Sequence, residues 1–242
     1  MTRPSISTVV LLILLALTAC AIVAAADSKP NELSDDEKKA GFKLLFDGTT
    51  TKGWHAIGKK EFPDKGWTVE SGALKHAAKG GGGDIVTDEQ YENFELTLEW
   101  NISPAGNSGI KYRVADVPGA AFGPEFQICD DAKNGDATKN NKHSAGAIYD
   151  LWVPLPTKVV KPAGEWQTAR LLVQGNHVEH WMNGAKCAEY EFNSEEWKAA
   201  VATSKFKGNA KYAVPAKNFI ALQDHGDEVS YRSIKIRELP AK

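Results

Sequence analysis

The segment Asn107-Ser108-Gly109-Ile110-Lys111-Tyr112-Arg113-Val114, followed after a Pro/Gly loop by Glu125-Phe126-Gln127-Ile128-Cys129, decides how the whole chain is read. It has the pattern of two short strands joined by a loop. Side chains on a strand alternate between its two faces. Ile110, Tyr112 and Val114 are therefore expected on one face, with Lys111 and Arg113 on the other. In the second strand Phe126 and Ile128 oppose Glu125 and Gln127. Near the C-terminus Asn218-Phe219-Ile220-Ala221-Leu222-Gln223-Asp224-His225-Gly226 repeats the pattern, with Gln223 and His225 on one face and Ile220 and Leu222 on the other. An Arg, a Glu, two Gln and a His would thus line one surface of a sheet whose other surface is apolar. An ordinary solvated outer face of an antiparallel sheet gives the same alternation.

Outward from this segment, the chain reads as strands separated by glycine-rich turns. Trp67 to Glu70 and Ala73 to His76 flank Ser71-Gly72, a compact hairpin signal. Phe94, Leu96, Leu98 and Trp100 alternate with Glu95, Thr97 and Glu99, which marks a half-buried strand. Strands are also expected at Gly146 to Asp150, Glu165 to Gly175, His177 to Gly184 and Tyr231 to Leu239, with a brief helix from Ser194 to Val201. Short strands, tight turns and little helix predict an all-β, two-sheet antiparallel sandwich or jelly roll. The four glycines from Gly80 to Gly83 lack the Gly-Lys-Ser/Thr ending of a phosphate loop and read as a flexible hairpin loop. Asp130 to Asn141 has the composition of a calcium loop. Ala132 and Asn141 nevertheless stand where ligands are needed, so a solvated loop is expected.

The chain has 242 residues with a formal net charge of −2 and 42% hydrophobic residues, including seven Trp and nine Phe. That supplies a large core, and the interspersed charges argue against a nucleic-acid partner. Residues 1–20 read as a secretory signal: Arg3, then an apolar run from Val9 to Leu17, then small residues. Leu17-Thr18-Ala19-Cys20 has the form of a bacterial lipobox, so lipidation is expected at Cys20, while Ala24 to Ala26 offers a rival cleavage site. Either route puts the mature protein outside the cytoplasm, periplasmic or anchored to the outer membrane, touching a membrane only through that lipid. Residues 21–40 read as a tether and a short helix capped by Ser34 and Glu37. Residues 41–240 form the folded domain. Cys129 and Cys187 are candidates for a bridge or for two buried thiols.

No serine-hydrolase elbow, zinc helix or Cys-x-x-Cys pair occurs in the sequence, and His177 and His180 fall on opposite faces of their strand. No cofactor motif is evident, and the pattern leaves a divalent metal open. Glu125 to Asp130 has the spacing of the catalytic strand of jelly-roll endoglucanases, but Gln127 replaces the middle Asp. Glu125 and Asp130 would meet only across a bulge.

In order, Leu45-Phe46-Asp47-Gly48 with Gly53-Trp54, Asn107-Ser108-Gly109-Ile110 with Arg113, Glu125 with Gln127, Gly164-Glu165-Trp166, Trp181 with Asn183-Gly184, and Leu222-Gln223-Asp224-His225-Gly226 together resemble the 3-keto-disaccharide hydrolase domain family, over about Gly41 to Leu239. The resemblance implies a concanavalin A-like jelly roll and a substrate oxidised at C3, a 3-keto-disaccharide or related glycoside. A C3 ketone acidifies the hydrogen on C2, so a base can remove it, the C1 substituent can leave, and water can add. This chemistry needs a base, an acid and a donor for the enolate oxygen. Glu125 and His225 are the candidates for base and acid, and Arg113 for the oxyanion partner. Asn107, Gln127, Gln223 and Asp224 are candidates for orienting sugar hydroxyls, and Trp152 for stacking on a ring. The competing functions are a non-catalytic carbohydrate-binding module on the same fold and an ordinary endoglucanase.

Overall fold

A computed structural model describes residues 29–119, 121–213 and 217–241. The expected signal at residues 1–20 and the lipidation at Cys20 lie outside the described residues. The protein is an all-β sandwich of two antiparallel sheets, a concanavalin A-like jelly roll. Its elements are α1 (Asp35–Lys39), β1 (Lys43–Leu44), β2 (Trp54–Ala56), β3 (Trp67–Glu70), β4 (Ala73–His76), β5 (Ile85–Thr87), β6 (Phe94–Ile102), β7 (Asn107–Val114) and β8 (Glu125–Cys129). They continue with a single 3-10 turn (Asn141–His143), β9 (Gln167–Gln174), β10 (His177–Met182), β11 (Ala185–Glu191), α2 (Glu195–Thr203), β12 (Phe219–Leu222) and β13 (Val229–Glu238).

The larger sheet runs β11-β10-β9-β6-β13-β4-β3, with β1 also paired to β13; the smaller runs β2-β5-β12-β7-β8. Phe94, Leu96 and Trp100 of β6 and Tyr231 of β13 face Ile110 and Tyr112 of β7 and Phe126 and Ile128 of β8, all buried. Hydroxyls bridge the sheets inside this apolar layer. Ser108 Oγ and Tyr231 Oη lie 2.7 Å apart, and Tyr112 Oη lies 2.8 Å from His180 Nε2 and 2.9 Å from Tyr190 Oη. Burial depresses the His180 imidazole to about 3, so it packs there as a neutral ring. Cys129 and Cys187 are buried free thiols, and no bridge joins them.

Four local expectations need correction. The predicted strand at Gly146 to Asp150 is an irregular segment laid antiparallel along β8 without forming a full strand: Gly146 N and Tyr149 N donate to Gln127 O and Glu125 O, Gln127 N donates to Ala147 O, and one bridge joins Phe126 to Ile148. The four-glycine run is no hairpin, because it carries the chain from β4 in the larger sheet to β5 in the smaller. It is also firmly held: Trp67 Nε1 donates to Gly83 O at 2.9 Å, and a Cβ on Gly66 would collide with Gly81 O. Glycine is needed there because two backbones touch. The segment before residue 41 is more than a tether. Asn31 donates to Gly72 O and exchanges hydrogen bonds with Ser233, and Glu37 pairs with Lys235 at 2.8 Å.

The fourth correction concerns β7. Arg113 has φ +53° and lies at a register break against β12. This bulge reverses the alternation beyond Tyr112. Val114 joins Ile57, Val86, Ala121 and Ala221 in a small apolar cluster apart from the main core, against which Phe219 packs. Arg113 turns the other way.

Candidate functional site

The outer face of the smaller sheet carries a buried polar cluster centred on Gly109. In the β7–β8 ladder Gly109 pairs with Gln127, Lys111 with Glu125, and Asn107 with Cys129. On the other flank the backbone N–H of Gln223 donates to Gly109 O at 3.0 Å. Glycine at the centre of this row leaves room that neighbouring side chains fill. A Cβ on Gly109 would run into the Glu125 carboxylate, which therefore lies over the glycine. Gln127 Nε2 donates to Asn107 Oδ1 at 3.2 Å. Gln127 Oε1 and Gln223 Oε1 are buried and have no hydrogen-bond partner among the described residues. Buried carbonyl oxygens seldom stay unpaired, so two of them in one cluster point to hydroxyl or amine donors supplied from outside.

Glu125 is only 5% exposed, and no described group donates a hydrogen bond to its carboxylate. Burial raises its pKa to about 7, against the opposing fields of Lys111, Lys205 and His143. A carboxylate in this range is a far better proton acceptor near neutrality than an exposed one. Lys111 is held in place by Asp84, with Nζ to Oδ2 at 3.1 Å and both residues buried. The other Asp84 oxygen accepts the backbone N–H of Asp224 at 3.0 Å, which ties the cation to the end of β12.

The third wall comes from the loop after β8, organised by short polar side chains that bond the local backbone. Asp130 accepts from Ala105 N and Ala132 N, and Asn134 accepts from Asp136 N while donating to Ala105 O. These bonds present Asp136 to His143 and Tyr149. Tyr149 Oη donates to Asp136 Oδ2 at 3.1 Å, and His143 stacks on the Tyr149 ring with centroids 4.5 Å apart. His143 Nε2 lies 3.1 Å from Asp150 Oδ1, and Nδ1 lies 3.0 Å from Asp136 Oδ1 but off the line of a good hydrogen bond. Burial pushes the Asp136 carboxyl up, but the His143 and Tyr149 contacts outweigh it and leave the group below its usual range. Tyr149 N donates to Glu125 O, and Lys205 Nζ lies 4.1 Å from the Tyr149 ring centre. The segment expected to be a solvated loop is solvent-exposed at Ala132, Lys133, Gly135 and Thr138 to Asn141, and it is at the same time ordered into a wall by Asp130, Asn134 and Asp136.

Glu125, Gln127, Asn107 and Gln223 therefore come together, but the remaining candidates do not join them. Arg113, turned by the bulge, donates to Gly175 O at 2.6 Å and lies over the Phe192 ring at 4.3 Å, beside the larger sheet. His225 is exposed in the turn after β12, and no described hydrogen bond or ion pair holds its ring. Asp224 is a structural pin: it accepts from Gly83 N and Gly226 N and lies 3.1 Å from His76 Nε2. Trp152 packs 5.7 Å from Tyr190 and 6.0 Å from Trp197 and opens onto a shallow groove of about 420 Å³ that none of Glu125, Gln127 and Gln223 lines. Asp130 is spent on its own loop, so the endoglucanase pairing with Glu125 does not form.

Lys111 shared its predicted face with Arg113, and the alternation pattern contained the signal that would have found it. His143, Tyr149 and Lys205 lie outside strands, where periodicity gives no orientation. For a metal, the ligand atoms of His177, Glu179 and Glu189 gather within 4.8 Å of one another. Lys186 already bonds both glutamates at 2.8 Å, however, and Trp181 Nε1 donates to Glu179 at 2.7 Å, so this group is internally neutralised.

Residues 41–237 match the family described as the 3-keto-alpha-glucoside-1,2-lyase-like domain. A 3-keto-disaccharide hydrolase of Bacteroides thetaiotaomicron is 32% identical over 231 residues, covering 82% of this chain and 79% of that protein. A crystal structure from Parabacteroides distasonis, of a protein described provisionally as a glycosyl hydrolase, is similar with a TM-score of 0.77 and 31% identity. It covers 88% of this chain and 100% of its own. A second structure from the same organism, with the same description, gives a TM-score of 0.57 at 27% identity over 77% of this chain and 99% of its own. The match over nearly the whole folded region, the relative above 30% identity and the shared jelly roll agree: the chain belongs to the 3-keto-alpha-glucoside-1,2-lyase-like domain family.

Proposed function

We propose that the protein is a carbohydrate-cleaving enzyme acting on glycosides whose sugar carries a ketone at C3. The name of the Bacteroides relative supports this reading. The observation that carries it is the Glu125 carboxylate, buried over Gly109, without a described donor and poised near neutrality. Glu125 takes the proton from C2, and the C–H electron pair becomes the enolate of the C3 ketone. Collapse of the enolate forms the C1–C2 double bond and expels the C1 oxygen. Water then returns a hydroxyl to C1 and a proton to C2. Lys111 replaces Arg113 as the cation whose field stabilises the enolate oxygen. Gln127 and Gln223 accept from ring hydroxyls, with Asn107 fixing the Gln127 amide.

Incubating the protein with a 3-keto disaccharide and with its unoxidised parent tests this reading. Release is expected only from the keto sugar. Glu125→Gln is expected to lower kcat by about 10³-fold or more while sugar affinity stays within a few-fold. Wild-type turnover in that variant removes Glu125 from the mechanism. Sugar binding with no turnover by the parent protein identifies a binding module instead.

A further inference from the structure

The scheme needs a proton for the departing oxygen, and the residue first considered for it, His225, is out in solvent. His143 stands nearer, but Asp136 and Asp150 flank its two nitrogens. Tyr212, on the segment after α2, is different. It is 9% exposed, and its hydroxyl is buried with no hydrogen-bond partner among the described residues. Its ring is clamped between Phe206, with centroids 4.0 Å apart and planes 11° apart, and Trp197, at 6.0 Å and 7°. After burial, the fields of Tyr190 and then of the Glu125 and Asp150 carboxylates disfavour ionisation of the hydroxyl, and the geometric link to the third wall runs through Phe206 and Lys205, whose Nζ lies 4.1 Å from the Tyr149 ring centre. The segment itself is docked onto the third wall, since Lys205 N donates to Asp150 Oδ2 at 2.7 Å. An aromatic clamp holding a buried hydroxyl without a described partner costs stability unless a ligand completes it.

We propose that the Tyr212 hydroxyl is the proton donor to the C1 oxygen as it leaves. This rests on the reading of Glu125 as the base. The protons balance: Glu125 gains one from C2, and the phenol loses one to the leaving oxygen. When water adds, its hydroxyl goes to C1 and its other proton to the Tyr212 oxygen, while Glu125 returns its proton to C2. One negative charge thus moves from one group to the other and none accumulates. Burial, reinforced by Tyr190 and the two carboxylates, holds the phenol well above its ordinary range, so it stays protonated until an alkoxide forms next to it.

The test compares two leaving groups on the same 3-keto sugar. One is a second sugar, whose alkoxide needs a proton; the other is nitrophenol, whose anion leaves without one. Tyr212→Phe keeps the ring stack and is expected to slow release of the sugar by about 10²- to 10⁴-fold, and of nitrophenol by less than about tenfold. Its thermal midpoint is expected within a few degrees of wild type. An equal loss on both substrates, or no loss on either, overturns the assignment. Glu125→Gln, run alongside, is expected to lose both releases equally. If it keeps them, the base reading fails, while the leaving-group comparison still judges Tyr212 separately.

Discussion

The outer faces of the two sheets are both polar by sequence, yet they differ in how their charges are satisfied. On the larger sheet Glu95 is gripped by Arg170 and Arg237, with contacts of 2.5 Å to each. Beside it Arg232 pairs with Glu99 at 2.7 Å and lies over the Trp166 ring. On the smaller sheet, among the described residues, Glu125 has no donor and the oxygens of Gln127 and Gln223 have no partner. Polar alternation is therefore no signature of a site. What separates a solvated face from a receptive one is whether the buried acceptors already have their donors.

The largest expected effect comes from displacing the Glu125 carboxylate. Gly109→Ala places a methyl group against the Glu125 carboxylate and is expected to cut kcat/KM by about 10³-fold, roughly 4 kcal/mol, with the fold retained by circular dichroism. Activity close to wild type would show that the placement of the Glu125 carboxylate over Gly109 does not matter to the chemistry.

The next contrast is in stability. A Glu125 pKa of about 7 against an unfolded value near 4.5 means that the folded state binds the proton more tightly. Ionisation therefore costs stability progressively as pH rises from 4.5 to 7, and the whole cost is felt above that window. Glu125→Gln is then expected to be more stable than wild type by about 3 kcal/mol at pH 8, with the gap closing toward pH 4. Denaturant midpoints at the two pH values check this. A destabilised variant at pH 8 would mean that Glu125 is paired like its counterpart on the larger sheet.

Glu95→Gln should behave in the opposite way. It strips a carboxylate from two guanidinium groups that are about one-third exposed, and is expected to cost about 2 kcal/mol in urea unfolding with kcat unchanged. A fall in kcat would show that the two faces are coupled.

The jelly roll was legible in the sequence because alternation and turn residues report the two periodic constraints of a sandwich. β6 matches its pattern from Phe94 to Trp100, and Ser71-Gly72 makes its hairpin, with φ +50° and +76°. Part of the site was legible for the same reason, since Glu125, Gln127 and Gln223 sit where a regular strand would put them. Arg113 was misread because one residue in the left-handed region shifts the ladder, and such a bulge leaves no mark on a period-two pattern. His143, Tyr149 and Tyr212 leave no such mark in the sequence, because the direction of irregular chain is set by long-range contacts such as Asp130 to Ala105 and Lys205 to Asp150.

The strap of chain before residue 41 has a practical consequence. The matched family region opens at that position, whereas the folded unit already includes Asn31 and Glu37. Cloning from the family boundary would leave the Gly72 carbonyl and the Ser233 amide without their protein partner and strand the buried Lys235 ammonium without its counter-ion. Expression vectors for this protein should therefore begin upstream of that clasp.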